Sequence, residues 1–589
     1  MAIKAGKLRP SQAVTQSGPG SLIDLPTLSM IVMAADDWDL ARARRIDEPR
    51  LARRLKVSNF RSPPYFDREG DIGGVPATVF PRFLVCPSCR RLAPYTGFTF
   101  NSRYSDFTCK APACPGNGKA TAYPARFMVA CPKGHLDDFP WHRYVHGPGV
   151  VCDAELFLED TGETGALTDL WVKCPVHDKS ANVGLAFGAT GREQLPACNG
   201  ARPWFGDTDP RGCTEHVRVL LRGASNAYFP IVDSALSIPP WSDPVQVALG
   251  IYAEQMAKVE SQQDLEGWLK YTNAPEVEQF EPEQIWAALT RRREGRQDSG
   301  LDLRQEEWRA LQAEPGKIDP KAEFQSESVA VPPEIGGFVE RVVLLERLRE
   351  VRALRGFTRI DSIPDLGEMG EVEALASGMA PVTRVRQPKW YPGVEFRGEG
   401  IFIHLDEEVV REWEERPEIK EAAAQQVQAE EAWATARGFE LRSPQPSRYV
   451  LLHSLSHAVI RQLALDCGYS STSLRERIYS STDPAFPQAG ILVYTATPDS
   501  DGSLGGLVEM GKPEELGPLV ERALRDAELC AGDPFCAGRG PMEAERLNGA
   551  ACHACLLISE TACENGNRYL DRATLVPTLR ETGMAISTA

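Results

Sequence analysis

CPSCRRLAPYTGFTFNSRYSDFTCKAPAC, residues 86–114, carries two tight cysteine pairs, Cys86-Pro-Ser-Cys89 and Cys109-x4-Cys114, with 19 residues between them. Structural zinc needs four nitrogen or sulfur ligands in a tetrahedron, and short turns deliver such ligands two at a time. Between the pairs, Thr96-Gly-Phe-Thr-Phe100 reads as a short strand. Cys86, Cys89, Cys109 and Cys114 therefore predict a zinc ribbon, and the rest of the chain is read outward from it.

Nine of the 15 cysteines fall between Cys86 and Cys213, five fall between Cys530 and Cys563, and Cys467 stands alone. Downstream of the ribbon, Cys174-Pro-Val-His177 is a knuckle with one sulfur replaced by imidazole, and Cys198 and Cys213 follow singly. Cys174, His177, Cys198 and Cys213 are expected to form a second zinc site. Between the two lies Cys131-Pro-Lys-Gly-His135, then Asp137, Asp138, His142, His146 and Cys152. A further metal on Cys131, His135, His146 and Cys152 stays open, since an isolated His is more often a hydrogen-bonded structural residue. The last group is Cys530-x5-Cys536, Cys552-His-Ala-Cys555 and Cys563. Five thiols are one too many for a tetrahedron. Cys536, Cys552, Cys555 and Cys563 are taken as the ligands and Cys530 as the spare, because Asp533-Pro-Phe forms a turn beside Cys536.

The 589 residues suggest two to four domains. With 42% hydrophobic and 25% charged residues the composition is ordinary globular. The formal charge of −17 excludes nucleic-acid binding by bulk charge. The charge is uneven: residues 1–130 hold 19 Lys/Arg against 10 Asp/Glu, or +9, leaving −26 for the rest. Such a lobe either faces a polyanion or docks on an acidic part of the same chain. The basic stretch ARARRIDEPRLARRLK, residues 41–56, reads as a solvated helix face or a phosphate-contacting surface. No run of about 18 apolar residues predicts a membrane span, and MAIKAGKLRPSQAVTQ has no apolar signal core. A cytoplasmic location is expected, where cysteines serve metals more than disulfides.

The expected fold is α+β and multidomain. It comprises a basic N-terminal segment (1–80), a zinc-ribbon-rich region (81–240), a helical insertion (241–325), a mixed α/β linker region with a surface helix (326–445), and a C-terminal mixed α/β zinc-binding domain (446–589). Residues 255–271 and 283–293 show helical patterns, as does the apolar RYVLLHSLSHAVIRQLALDC, residues 448–467. His453 and His457 share a face of that helix. As a metal pair they would need further ligands, and none is obvious. GILVYTAT, residues 490–497, reads as a buried strand, Gly502-Ser-Leu-Gly-Gly506 as a glycine-rich turn, and a last helix runs from near Lys512 towards Cys530.

No GxxxxGK[ST] loop, GxSxG elbow or HExxH helix occurs, so no ATPase motor is read from this chain. Closed four-ligand zinc sites leave no open position for chemistry.

The C-terminal strings Leu547-Asn-Gly-Ala-Ala-Cys552-His-Ala-Cys555 and Cys563-Glu-Asn-Gly-Asn567-Arg-Tyr-Leu-Asp571-Arg572 resemble the DrmB family of the bacterial DISARM anti-phage system. So do Arg448-Tyr-Val-Leu-Leu-His453, Cys467-Gly-Tyr-Ser470, Glu476-Arg477-Ile-Tyr479 and residues 502–508. Upstream, Gly134-His135-Leu-Asp-Asp-Phe-Pro-Trp141, Pro203-Trp204, Arg222-Gly-Ala-Ser-Asn226 and residues 7–24 continue the likeness. It covers most of the chain except 241–325 and 406–445. His177 stands where that family usually has Cys. The C-terminal region is also similar to the zinc-binding domain of MrfA-type helicases. The resemblance implies a partner, a DrmA-like helicase protein, and a complex that engages DNA. The leading expectation is a non-catalytic, zinc-binding subunit. The alternative is a zinc-dependent hydrolase or nuclease using the Cys131–Cys152 constellation, with Asp137 or Asp138 as base.

Overall fold

The computed structural model describes residues 6–586 apart from 65–73, 163–164, 299–301, 315–320, 363–377, 438–442, 471, 496–505 and 544–546. The glycine-rich turn expected at 502–506 lies almost wholly outside the described residues.

An antiparallel sheet organises the molecule. Its main strands are β1 (Phe229–Leu236), β2 (Val339–Thr358), β3 (Trp390–Leu405), β4 (Leu474–Ser481) and β5 (Gln488–Thr495), in the order β1-β2-β3-β5-β4. Side chains alternate between the faces of a strand, and here both faces are covered. Ile401, Ile403, Ile491 and Val493 pack under helix α1 (Ser447–Cys467) and helix α2 (Pro513–Glu528). Their neighbours Phe402, Leu492 and Tyr494 pack with Leu311 and Trp308 of the helix Leu303–Gln312 on the other face. Burial on both faces explains why β5 is apolar throughout rather than alternating. Helix α1 ends at Gly468, whose φ of +70° is the left-handed turn that stops a helix cheaply only with glycine.

The remaining regions attach to this sheet. The helical middle includes Pro244–Ile251, Gln262–Tyr271 and Pro282–Asp298. Ser261 and Asp264 form a reciprocal capping box at the start of the second of these. Residues 406–437 form two helices, Glu407–Glu414 and Pro417–Arg437, and are more than a surface element. Trp413 is fully buried and donates its indole N–H to the Met584 carbonyl at 2.7 Å. In the cysteine-rich region, eight of the ten strands between Phe83–Val85 and Lys179–Asn182 form one sheet, and the other two, Leu136–Asp138 and Phe127–Ala130, form another with Arg218–Leu221.

The described part of the N-terminal segment, residues 6–64 and 74–80, contributes strands both to the central sheet and to a small sheet of its own. Asn59–Arg61 pairs in parallel with the start of β3, while Leu22–Asp24, Ser29–Val32 and Ala77–Val79 make a small sheet. Only Pro49–Arg54 of the basic stretch is helical. Arg50 is buried and bonds Glu306 at 2.5 Å and the carbonyls of Leu236 and Leu303, and Arg44 pairs with Glu395. Asp47 and Glu48 of the same stretch meet Arg292 and Arg349. The Arg50 and Arg44 contacts belong to the reading in which the basic lobe docks on acidic parts of its own chain, while the Asp47 and Glu48 pairs run with the opposite polarity.

One buried arginine ties together three of the strings noted in the sequence. Arg359 donates to the carbonyls of Gly134 at 2.9 Å and Gly20 at 2.6 Å, and also to that of Ala227. Burial pulls its guanidinium down to about 9. The Gly18-Pro-Gly20 loop, the Gly134-His135 turn and the Ser225–Ala227 turn thus share one anchor.

Candidate metal centres

The cysteines gather into compact groups, and none of the 15 forms a disulfide. In each of the groups described below, the four candidate donor atoms lie within 4.8 Å of one another, the scale of a single ion's first shell.

The first group is the ribbon, Cys86, Cys89, Cys109 and Cys114. The hairpin Phe83–Val85/Arg91–Pro94 turns through the Cys86–Arg90 knuckle, closed by Arg90 N–H donating to the Cys86 carbonyl at 2.9 Å. Cys109 follows the strand Asp106–Thr108, and Cys86 Sγ sits 3.7 Å from Cys114 Sγ and Cys89 Sγ 3.8 Å from Cys109 Sγ. The structure brings together the same four residues that spacing selects.

The middle residues are grouped differently from the sequence expectation. Cys198 and Cys213 lie with Cys131 and His135, while Cys174 and His177 lie with His146 and Cys152. His135 Nδ1 is 3.4 Å from Cys131 Sγ and 3.6 Å from Cys198 Sγ, and its Nε2 faces Asp209 Oδ2 at 3.4 Å. Arg211 holds that carboxylate at 2.8 Å. A carboxylate behind an imidazole is the usual support for a metal-ligating His. In the other group His177 Nδ1 is 3.4 Å from Cys174 Sγ and 3.6 Å from Cys152 Sγ. His146 donates from Nδ1 to the His142 carbonyl at 2.8 Å, and its buried Nε2 has no hydrogen-bond partner. An orphaned imidazole nitrogen beside two thiols and a second imidazole fits a metal ion. The two groups are nested: Cys131/His135 and Cys198/Cys213 close around a loop that contains the whole of the other set.

The nesting also divides the residues of the open hydrolytic site. Cys131 and His135 fall in one group and His146 and Cys152 in the other. Asp138 and Asp137 are clamped by Arg82, at 2.6 and 2.5 Å.

In the C-terminal group the structure joins Cys530 and Cys536 with Cys552 and Cys555, and Cys563 lies elsewhere. Cys530, read as the spare thiol, sits 3.4 Å from Cys552 Sγ, while Cys536 is 3.7 Å from Cys555 Sγ. The reason lies in Asp533, whose carboxylate accepts from Cys530 N–H and Ala537 N–H, both at 3.0 Å, and folds the two thiols into one turn. Arg572, fully buried, holds the same carboxylate at 2.6 and 2.8 Å and also donates to the Ala527 and Glu528 carbonyls at the end of α2. Sequence reasoning placed Asp571-Arg572 in a motif without assigning it this work. Cys563 instead faces His453, His457 and Glu476.

A family model described as the MrfA Zn-binding domain matches residues 455–556, the segment that holds all four thiols of the Cys530 group. A domain of unknown function, DUF8724, matches residues 9–229, which contain the other three groups named so far. DISARM protein DrmB of Bacillus paralicheniformis (strain ATCC 9945a / NCIMB 11709 / CD-2) is 33% identical over 568 residues, 94% of this chain and 97% of that protein. The chain belongs to the DrmB family. It is accordingly a DISARM anti-phage defence protein with an MrfA-type Zn-binding domain, and its cysteine clusters have donor sets suited to metal. Among the described residues of this DrmB-family chain, no helix is long and apolar enough to cross a membrane.

Proposed function

We propose that the chain is a non-catalytic, zinc-built cytoplasmic subunit that docks on the helicase-like component of a DISARM complex and contributes to its hold on DNA. The observation that carries this reading is the closure of the clusters around Cys86, Cys131, Cys152 and Cys530. Each offers four soft donors at the spacing of one tetrahedral ion, which suits scaffolding and leaves no position for a reacting water. The lack of a GxxxxGK[ST] string supports placing the motor on another chain.

The ribbon supports the DNA part. Its hairpin Thr99–Asn101/Asp106–Thr108 presents Tyr104, 63% exposed, with the Arg103 guanidinium 5.4 Å from the ring centre, and Phe100, 41% exposed. Lys110 and Lys119 are exposed beyond the hairpin. Exposed rings beside cations are what single-stranded nucleic acid uses for stacking and phosphate contact.

Co-expression with the helicase-like component should yield a stable complex that binds DNA. Reversing Arg103, Lys110 and Lys119 to Glu should weaken single-strand binding and flatten its salt dependence by about 0.7 in log–log slope per lost contact. An unchanged slope removes the ribbon from the DNA interface. Purified chain incubated with labelled single- and double-stranded DNA, zinc and manganese should cut neither. Cleavage that disappears in Asp138→Ala would overturn the non-catalytic reading.

A further inference from the structure

We propose a fifth metal centre, in which His453, His457, Glu476 and Cys563 together bind a divalent transition ion of the zinc type. Neither family match reaches His453 or Cys563. Helix α1 supplies the two imidazoles one turn apart, β4 supplies the carboxylate, and the loop after the Cys552/Cys555 knuckle supplies the thiol. His453 Nε2 lies 2.9 Å from Glu476 Oε1 and 3.1 Å from Cys563 Sγ, and His457 Nε2 lies 3.4 Å from the same Glu476 oxygen.

Three features favour an ion over a plain hydrogen-bonded network. First, His457 Nδ1 donates to the Leu556 carbonyl at 2.9 Å. In the neutral ring that leaves a bare lone pair on Nε2, aimed at a carboxylate oxygen that is itself an acceptor. Two acceptors facing each other in a dry site repel, and a cation between them removes the conflict. A backbone carbonyl behind the ring is also how metal-ligating histidines are oriented.

Second, the Glu476 side chain is fully buried, its Oε2 has no hydrogen-bond partner, and neither does His453 Nδ1. Among the described residues the two imidazoles are the groups within ion-pair reach of that carboxylate. A buried carboxylate without a firm countercharge is expensive, and a divalent ion supplies one.

Third, Cys563 Sγ accepts N–H groups from Asn565 at 3.3 Å and Asn567 at 3.2 Å. The Cys530 group shows the same habit: Gly532 N–H points at Cys530 Sγ at 3.3 Å and Cys552 N–H at Cys555 Sγ at 3.2 Å. Amides turned onto a sulfur favour the thiolate, the form that binds metal.

The mixed donor set of two nitrogens, one oxygen and one sulfur suits zinc and other borderline ions rather than magnesium or calcium. Burial makes the centre structural. It clamps α1 to β4 and to the C-terminal loop, and through Leu556 it leans on the neighbouring four-cysteine centre.

Anomalous scattering at the zinc edge from crystals of the full chain tests this without a variant. A peak is expected about 2.0–2.3 Å from the four donor atoms. Peaks at the four other centres with none here would overturn the fifth centre alone. As a second arm, Glu476→Gln and Cys563→Ser should each lose one metal equivalent while the other centres keep theirs. Metal content equal to wild type in both variants would likewise overturn it. Should either variant fail to fold, the wild-type anomalous map decides.

Discussion

Cys530→Ser should lose one zinc equivalent from the purified chain, and Cys536→Ser should lose the same one. Both thiols belong to the C-terminal set, folded onto Cys552 and Cys555 by the Asp533 turn. A structural zinc site supplies on the order of 10 kcal/mol of apparent free energy, against a net domain stability of about 5–15 kcal/mol. Removing one thiolate therefore unfolds the region locally rather than loosening it. Limited proteolysis should show cleavage in the C-terminal unit, and Cys555→Ser should behave alike. Cys530→Ser with full zinc and wild-type protease resistance would restore it to the role of spare thiol.

Glu307→Gln should destabilise the chain by about 3–5 kcal/mol at neutral pH, because it strands buried positive charge. Glu307 is fully buried and receives Arg477 through bonds of 2.6 and 2.8 Å, Tyr479 at 3.2 Å and the Leu236 amide at 3.0 Å, with Arg50 at 3.9 Å. Burial alone would raise this carboxyl, but Arg477, Arg50 and Arg304 more than offset it and hold it below the ordinary range. A depressed carboxylate contributes stability that is present above its unfolded pKa of about 4.5 and disappears as pH falls through the folded value. The gap between wild type and variant in urea melts should thus be full at pH 7 and shrink in acid. A gap under about 1 kcal/mol at pH 7 contradicts the assignment. The pair also joins the helical middle to the central sheet, so the melt reports on that attachment.

What could be read from sequence was whatever is local. Cys86, Cys89, Cys109 and Cys114 lie in two short turns on adjacent strands, and both pairs arrive intact at one site. Helix α1 and helix α2 show as helical stretches and strand β5 as a continuous apolar run, and all three lie close to the expected bounds. The middle groups were not legible because one loop is nested within another: a knuckle such as Cys174/His177 matches a distant pair equally well whether the partner precedes or follows it. Spacing favoured the following pair, Cys198/Cys213, and tertiary pairing of Phe127–Ala130 with Arg218–Leu221 brings that pair to Cys131 and His135 instead. The C-terminal choice went wrong for a different reason. Counting thiols to four made one of five redundant, whereas the fifth has imidazole and carboxylate company supplied by α1 and β4. Glu476 sits in the charged strand LRERIYSS with no spacing signal towards any cysteine, and only the register of β4 reveals it.

The central claim is that separate closed metal centres hold this DrmB-family chain together. Native mass spectrometry of the freshly purified, folded chain tests it most directly. The account predicts a mass excess of at least four zinc ions per chain, one for each cluster around Cys86, Cys131, Cys152 and Cys530, rising to five with the His453 centre. A fully folded chain carrying only two or three zinc ions, the number that cysteine spacing alone suggests, would contradict it.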